Sequence, residues 1–132
     1  MYVYQYLSII LAFIVIDAPY LYLNSKLYTD ITRSISGKTF TTRYYSALIV
    51  YLALALGVFV LVLPKIRKDT TRNMLYDSLL YGGVLGIVSY ATFDFTAHFM
   101  FDGWTLGVSI MDTIWGATLC SLVSFITVYL WK

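Results

Sequence analysis

The sequence predicts an all-α fold, an integral membrane four-helix bundle, and three observations carry that prediction. The first is composition. The chain is 60% hydrophobic and only 12% charged, whereas a soluble domain is roughly 45–50% apolar and about 25% charged. Its mean hydropathy of +0.76 leaves too few polar residues to cover a soluble surface. The second is segmentation into four apolar stretches, each about 20 residues or longer, enough at 1.5 Å per residue to cross a ~30 Å hydrocarbon core. The third is tyrosine. The chain holds 13, and Tyr2, Tyr4, Tyr6, Tyr20, Tyr22, Tyr44, Tyr45 and Tyr76 fall near the ends of apolar runs, as in an interfacial aromatic belt.

The expected helices cover about 2–23, 44–63, 76–101 and 104–131 of one transmembrane domain, residues 1–132. The first begins apolar and lacks early Lys or Arg, so it reads as a retained helix rather than a cleaved leader. Residues 24–43 read as a polar loop with Lys26, Arg33, Lys38, Gly37 and Arg43. Helix two opens at Tyr44-Tyr45 and stops before Pro64, which cannot continue a helix interior. A second basic loop follows with Lys65, Arg67, Lys68 and Arg72. Helix three opens at Tyr76, placing Asp77 in a first turn whose dipole suits a negative charge. Asp102-Gly103 is a tight hairpin, and helix four completes the bundle. Five Lys and Arg then lie on the side of the termini (Lys65, Arg67, Lys68, Arg72, Lys132) and four on the other (Lys26, Arg33, Lys38, Arg43). The positive-inside rule weakly favours cytoplasmic termini. So small a bias is also what a dual-topology dimer would show.

Several function classes drop out. A net charge of +2 gives no case for nucleic acid. The lone Cys120 excludes an internal disulfide and a multi-cysteine metal site. No P-loop, G-x-G-x-x-G or G-x-S-x-G occurs, and no cofactor is expected. No H-E-x-x-H spacing is present, so no metal is assigned, although Asp17, Asp94, His98 and Asp112 are donors suited to a hard or borderline cation.

The informative residues are Asp17, Asp94 and Asp112, one in each of three different spans. A carboxylate at a helix centre costs about 2.5–3.5 kcal/mol on insertion scales. Counting at 1.5 Å per residue puts all three roughly 10–12 Å inside the same membrane face, the one opposite the second basic loop. They are therefore able to form one polar cluster. No Lys or Arg lies within a span, though Arg43 is on the same side and within reach. Desolvation and mutual repulsion then favour proton uptake. His98, one turn after Asp94, shares its helix face, which Tyr90 and Gly86 extend. Gly82 and Gly86, with Gly116 on helix four, are small residues that let helix backbones approach closely in lipid. Pro19 follows Asp17 by two residues, and a helix broken beside an acid is a plausible ligand site. The alternative is structural: each acid cross-links helices by bonding Tyr, Thr or Trp, and His98 is an interhelical hydrogen-bond partner.

Two runs carry a family resemblance: Tyr90-Ala91-Thr92-Phe93-Asp94-Phe95-Thr96, preceded by Gly82 and Gly86, and Asp112-Thr113-Ile114-Trp115-Gly116, preceded by Trp104. They resemble an uncharacterised family of small, mainly bacterial predicted membrane proteins. Its hallmark is G-x-x-x-G-x-x-x-Y-A-T-Y-D-x-T-N, a Trp, and then D-x-x-W-G. The resemblance extends to Asp17, Tyr44-Tyr45 and Pro64. By position it implies Asp17, Tyr90, Thr92, Asp94, Thr96, Asp112, Trp115 and Gly116 as recurrent polar or motif residues. Ala97 stands where the family has Asn, and Tyr20 where it has Trp; His98, one position on, is able to replace the amide. The resemblance implies a fold and a membrane location but no activity.

The leading functional expectation is a small proton- or cation-linked transporter or channel. Asp17, Tyr90, Thr92, Asp94, Thr96, His98, Asp112 and Trp115 are its candidate proton-, ion- or substrate-binding residues, and Gly82, Gly86 and Gly116 its packing residues. The alternatives are a membrane-embedded lipid-modifying enzyme and a structural or assembly protein. Expected partners are the lipid bilayer and a second copy in a homodimer or larger assembly. The expected location is the cell membrane, or the membrane of a virus or organelle.

Overall fold

The computed structural model describes residues 2–37 and 43–131. Lys38 and Lys132, both part of the charge count, lie outside the described residues. Five helices follow one another: α1 (Tyr2–Leu23), α2 (Ser25–Ser36), α3 (Tyr44–Lys65), α4 (Thr71–Met100) and α5 (Leu106–Trp131). All but α2 are long and apolar enough to cross a membrane.

The packing is that of a protein in lipid. Outward faces are apolar, as Leu11, Val15, Ile49, Val60, Val88 and Ile114 show. The interior is partly polar, with Asp17, Asp77, Ser78, Asp94, Ser109, Asp112, Ser121, Ser124 and Thr127 buried. Hydrocarbon imposes no penalty on exposed apolar side chains but a large one on unpartnered polar groups. Ser109, Ser121, Ser124 and Thr127 return their hydroxyl bonds to the preceding turn, as in Ser124 Oγ to Cys120 O at 2.6 Å and Thr127 Oγ1 to Val123 O at 2.7 Å.

The most buried helix is α5, which packs on α4, α1 and the end of α3. Its tightest partner is α4. A Cβ on Gly86 would lie 2.2 Å from the Gly116 carbonyl oxygen, and one on Gly82 would lie 2.9 Å from the Cys120 oxygen. A Cβ on Gly116 would strike the Tyr90 ring. The backbones touch because three glycines align on facing stripes. On α1, Ile9, Phe13 and Asp17 make one buried stripe with a four-residue step, so Asp17 sits where a core residue belongs.

Three local expectations change. Residues 25–36, read as loop, form an amphipathic helix. Tyr28, Ile31, Thr32 and Ile35 face inward at helical spacing while Lys26, Asp30 and Arg33 stay exposed. Gly37 ends it in the left-handed conformation at φ 74°, with its N–H on Arg33 O, a standard helix stop. Its last turn seats on the α4–α5 hairpin, where a Cβ on Gly103 would lie 2.5 Å from Ser34 Oγ. Next, α1 runs unbroken through Pro19, so no unwound segment lies beside Asp17. Third, α4 starts at Thr71 rather than Tyr76. Thr70 caps it, accepting from Asn73 N at 3.1 Å. Asp77 is therefore beyond the first turn, and Arg67 holds it through Nε–Oδ2 at 2.9 Å, Nη2–Oδ1 at 3.1 Å and its backbone N–H at 2.8 Å. Both α3 and α4 contain one π-helical turn, at Val58–Val62 and Ser78–Gly82, and the two turns pack on each other.

Candidate functional site

Trp115 and Tyr51 converge on Asp17. The Tyr51 hydroxyl donates to Oδ2 at 2.6 Å and the Trp115 indole N–H to Oδ1 at 2.8 Å. One carboxylate thus joins α1, α3 and α5. Trp115 is fixed in turn by stacking on Tyr20, with centroids 4.7 Å apart and planes 7° from parallel.

Asp112, one turn before Gly116, is held from two other helices. Tyr20 of α1 and Tyr28 of α2 both donate to its Oδ1, at 3.1 and 3.0 Å, and their hydroxyls lie 2.8 Å apart. Tyr28 also stacks on Trp104 at 6.0 Å. Placing Tyr28 here is what the docking of α2 accomplishes.

Asp94 is different. It is 0% exposed, and neither carboxyl oxygen has a hydrogen-bond partner. It lies within electrostatic reach of Asp112, the Thr113 hydroxyl and the Trp104 indole, yet outside hydrogen-bond geometry with each. Thr113 Oγ1 and Trp104 Nε1 are also buried and unpartnered. Two donors and two carboxyl oxygens thus face one another in one place without a bond in normal hydrogen-bond geometry. Ser109 pins this stretch, donating to the Asp94 backbone carbonyl at 3.2 Å. Arg43 is exposed and pairs with none of the three acids; the one ion pair among the described residues is Arg67–Asp77.

Between the helices opens a groove of about 1270 Å³. Asp17 and Asp112 lie on its wall with Tyr20, Tyr28, Phe93, Trp104 and Trp115, and Tyr90 and Ser89 line its α4 side. Among the described residues, no Lys, Arg or His lines it.

The expected site residues therefore divide. Asp17, Tyr90, Asp112 and Trp115 line the groove, and Asp94 lies behind Asp112. Thr92, Thr96 and His98 face outward. Thr92 and Thr96 return their hydroxyls to the carbonyls of Val88 and Thr92. His98 Nδ1 meets the Trp104 carbonyl oxygen at 2.7 Å, bracing the hairpin, while Ala97 continues the Asp94 face inward. Gly82, Gly86 and Gly116 are the contact points of α4 with α5. Sequence reasoning does not reach Tyr28 or Tyr51, and it marks Tyr20 as a belt residue and as the position where the resembled family has Trp, without a link to Asp112. The 28/31/32/35 spacing carried the signal for Tyr28; nothing local marked Tyr51. No three His, Cys, Asp or Glu side chains among the described residues converge as a metal-ligand set.

An apolar exterior, four spans and acids facing an internal groove define a polytopic integral membrane protein. Residues 2–129 match the family described as Predicted membrane protein (DUF2177). The chain belongs to that family. No curated protein and no solved structure matches it.

Proposed function

We propose that this protein is a small proton-linked carrier or channel in which the Asp94–Asp112 pair takes up and releases the proton. The observation that carries this reading is Asp94: fully buried, unpartnered at both oxygens and beside a second carboxyl. Two neighbouring carboxyls in a low-dielectric site repel one another when both are ionised, so a proton held between them would relieve that repulsion. Asp112 connects that pair to the groove. An acid kept in a span at such cost is by default a functional residue.

The test is proton flux in proteoliposomes. Asp94→Asn and Asp112→Asn are expected to abolish a flux that the unaltered protein supports. Unchanged flux in both variants sinks the proposal. Asp17 favours a second, structural role, because both its oxygens are already bonded to neighbouring helices. On that reading Asp17→Asn lowers the yield of folded protein, and flux per folded molecule stays the same. The working unit we propose is a homodimer or larger assembly, since four helices of this size enclose little interior. The mass of the purified particle tests it; a monomer that still conducts would count against it.

A further inference from the structure

We infer that the groove binds a lipophilic organic cation: a quaternary or protonated amine, or an onium ion, on an apolar body. The inference rests on the proton-linked reading of Asp112 and deepens it by naming what exchanges with the proton.

The argument begins with size. At about 1270 Å³ the groove exceeds the ~300–1,000 Å³ typical of small-molecule sites, so it has room for a bulky ligand. Its wall is mostly apolar, and its aromatic rings come in ordered pairs. Tyr20 stacks on Trp115, Tyr28 stacks on Trp104, and Phe93 meets Trp104 edge-on at 5.5 Å. Ring faces are electron-rich and attract a desolvated cation. Among the described residues, the formally charged groups on the wall are the acids Asp17 and Asp112, and no basic side chain lines it. Their hydrogen bonds come from neutral hydroxyl and indole donors, which orient a carboxylate and leave its charge in place. A cation would supply the positive charge that none of the described lining residues carries.

The same features exclude other ligands. An anion would meet two carboxylates and the negative faces of the rings. A bare Ca²⁺ needs 6–8 oxygen ligands, and each acid here already accepts two donors. A neutral lipid would fill the volume without using either acid.

Proton and cation would compete. Asp112 faces Tyr20 of α1, Tyr28 of α2, and Asp94 and Tyr90 of α4, while Asp17 faces Tyr51 of α3, Tyr90 of α4, and Trp115 and Cys120 of α5. Of all these, only the carboxyls are able to carry the negative charge that a cation and a proton would both neutralise. A proton bound there would remove the charge that holds the cation.

The experiment titrates tetraphenylphosphonium, and separately the same-shaped anion tetraphenylborate, into the full chain in zwitterionic nanodiscs, following tryptophan fluorescence. Saturable phosphonium binding at pH 8 is expected, weaker at pH 5, with no saturable borate binding. Asp112→Asn should weaken phosphonium binding by about tenfold or more, equivalent to roughly 1.4 kcal/mol. Asp112→Glu, which keeps the charge if Asn impairs folding, should retain it. Equal binding of both ions, or phosphonium affinity unchanged in folded Asp112→Asn and Asp17→Asn, overturns the inference. Proton flux without phosphonium binding also overturns it and leaves the proton-linked reading standing. Saturable phosphonium binding that ignores pH and Asp94→Asn keeps the cation site and overturns the proton linkage.

Discussion

Asp94 and Asp17 show how two acids of equal insertion cost come to different ends. Asp17 is matched by two donors from two helices, so its burial is offset by charge-assisted bonds. Tyr51→Phe and Trp115→Phe should each destabilise the protein by about 1–2 kcal/mol, the range of interhelical hydrogen bonds in model membrane helices. Unfolding in mild detergent measures this, and the pair should couple through Asp17 in a double-mutant cycle. Asp94 has no such match. Asp94→Asn removes a buried ionisable group without removing any existing hydrogen bond. Stability should stay level or rise while flux is lost, because functional sites are commonly held at a cost in stability. A large loss of stability on Asp94→Asn would instead make it a structural residue. His98, which shared a plausible helical face with Asp94, faces outward. The one-residue choice between Ala97 and His98 depends on which side of α4 meets α5, and spacing along a single helix does not set that.

Helices here are held by close approach as much as by side-chain bonds. A methyl group at Gly86 would fall 2.2–2.6 Å from the backbone of Gly116 and Ala117, atoms with no rotamer to move. Gly86→Ala should therefore separate α4 from α5, at about the 1–3 kcal/mol of core overpacking or more. Gly107→Ala, with nothing within 4 Å of the added carbon, should be neutral or slightly stabilising; thermal unfolding of the two variants side by side checks both. The C-terminal bound of α1 is legible because its long apolar run meets the polar residues that open at Asn24. The start of α4 is not. Thr70, Thr71, Arg72 and Asn73 look like loop by hydropathy, yet Thr70 caps a helix and Asp77 is neutralised by Arg67. For α2, polar residues at every third or fourth position hid a half-buried stripe. Neither π-helical turn had a sequence signature, since each arises where α3 and α4 press on each other.

Across the whole molecule Asp17, Asp94, Asp112, the groove and α2 gather at one end of the bundle, and the Arg67–Asp77 pair ties the stretch after α3 to the early turns of α4. With four spans, α2 and the α4–α5 hairpin emerge on one side and the Arg67 loop on the other. In a Cys120→Ala background, Lys26→Cys and Lys68→Cys should react with a membrane-impermeant thiol reagent from opposite sides. Reaction of each cysteine from both sides would establish the dual topology that the small charge bias allows.

Composition and hydropathy alone determined that this is a membrane protein with four helices long and apolar enough to span, and the resemblance pointed to the family whose model the chain matches. The first follows from the solvent: lipid demands long apolar helices whatever they touch. The sequence also singled out three acids at a common depth, because depth depends only on distance along a helix. Their separate fates were settled by the tertiary structure. Rotation of each helix brought Tyr51 and Trp115 to Asp17, Tyr20 and Tyr28 to Asp112, and left Asp94 facing Asp112, Thr113 and Trp104 without a hydrogen bond in normal geometry. The bonds to Asp17 and Asp112 join residues 34 to 98 positions apart. Only close packing of the helices, anchored by the glycine contacts of α4 with α5, brings such distant residues together.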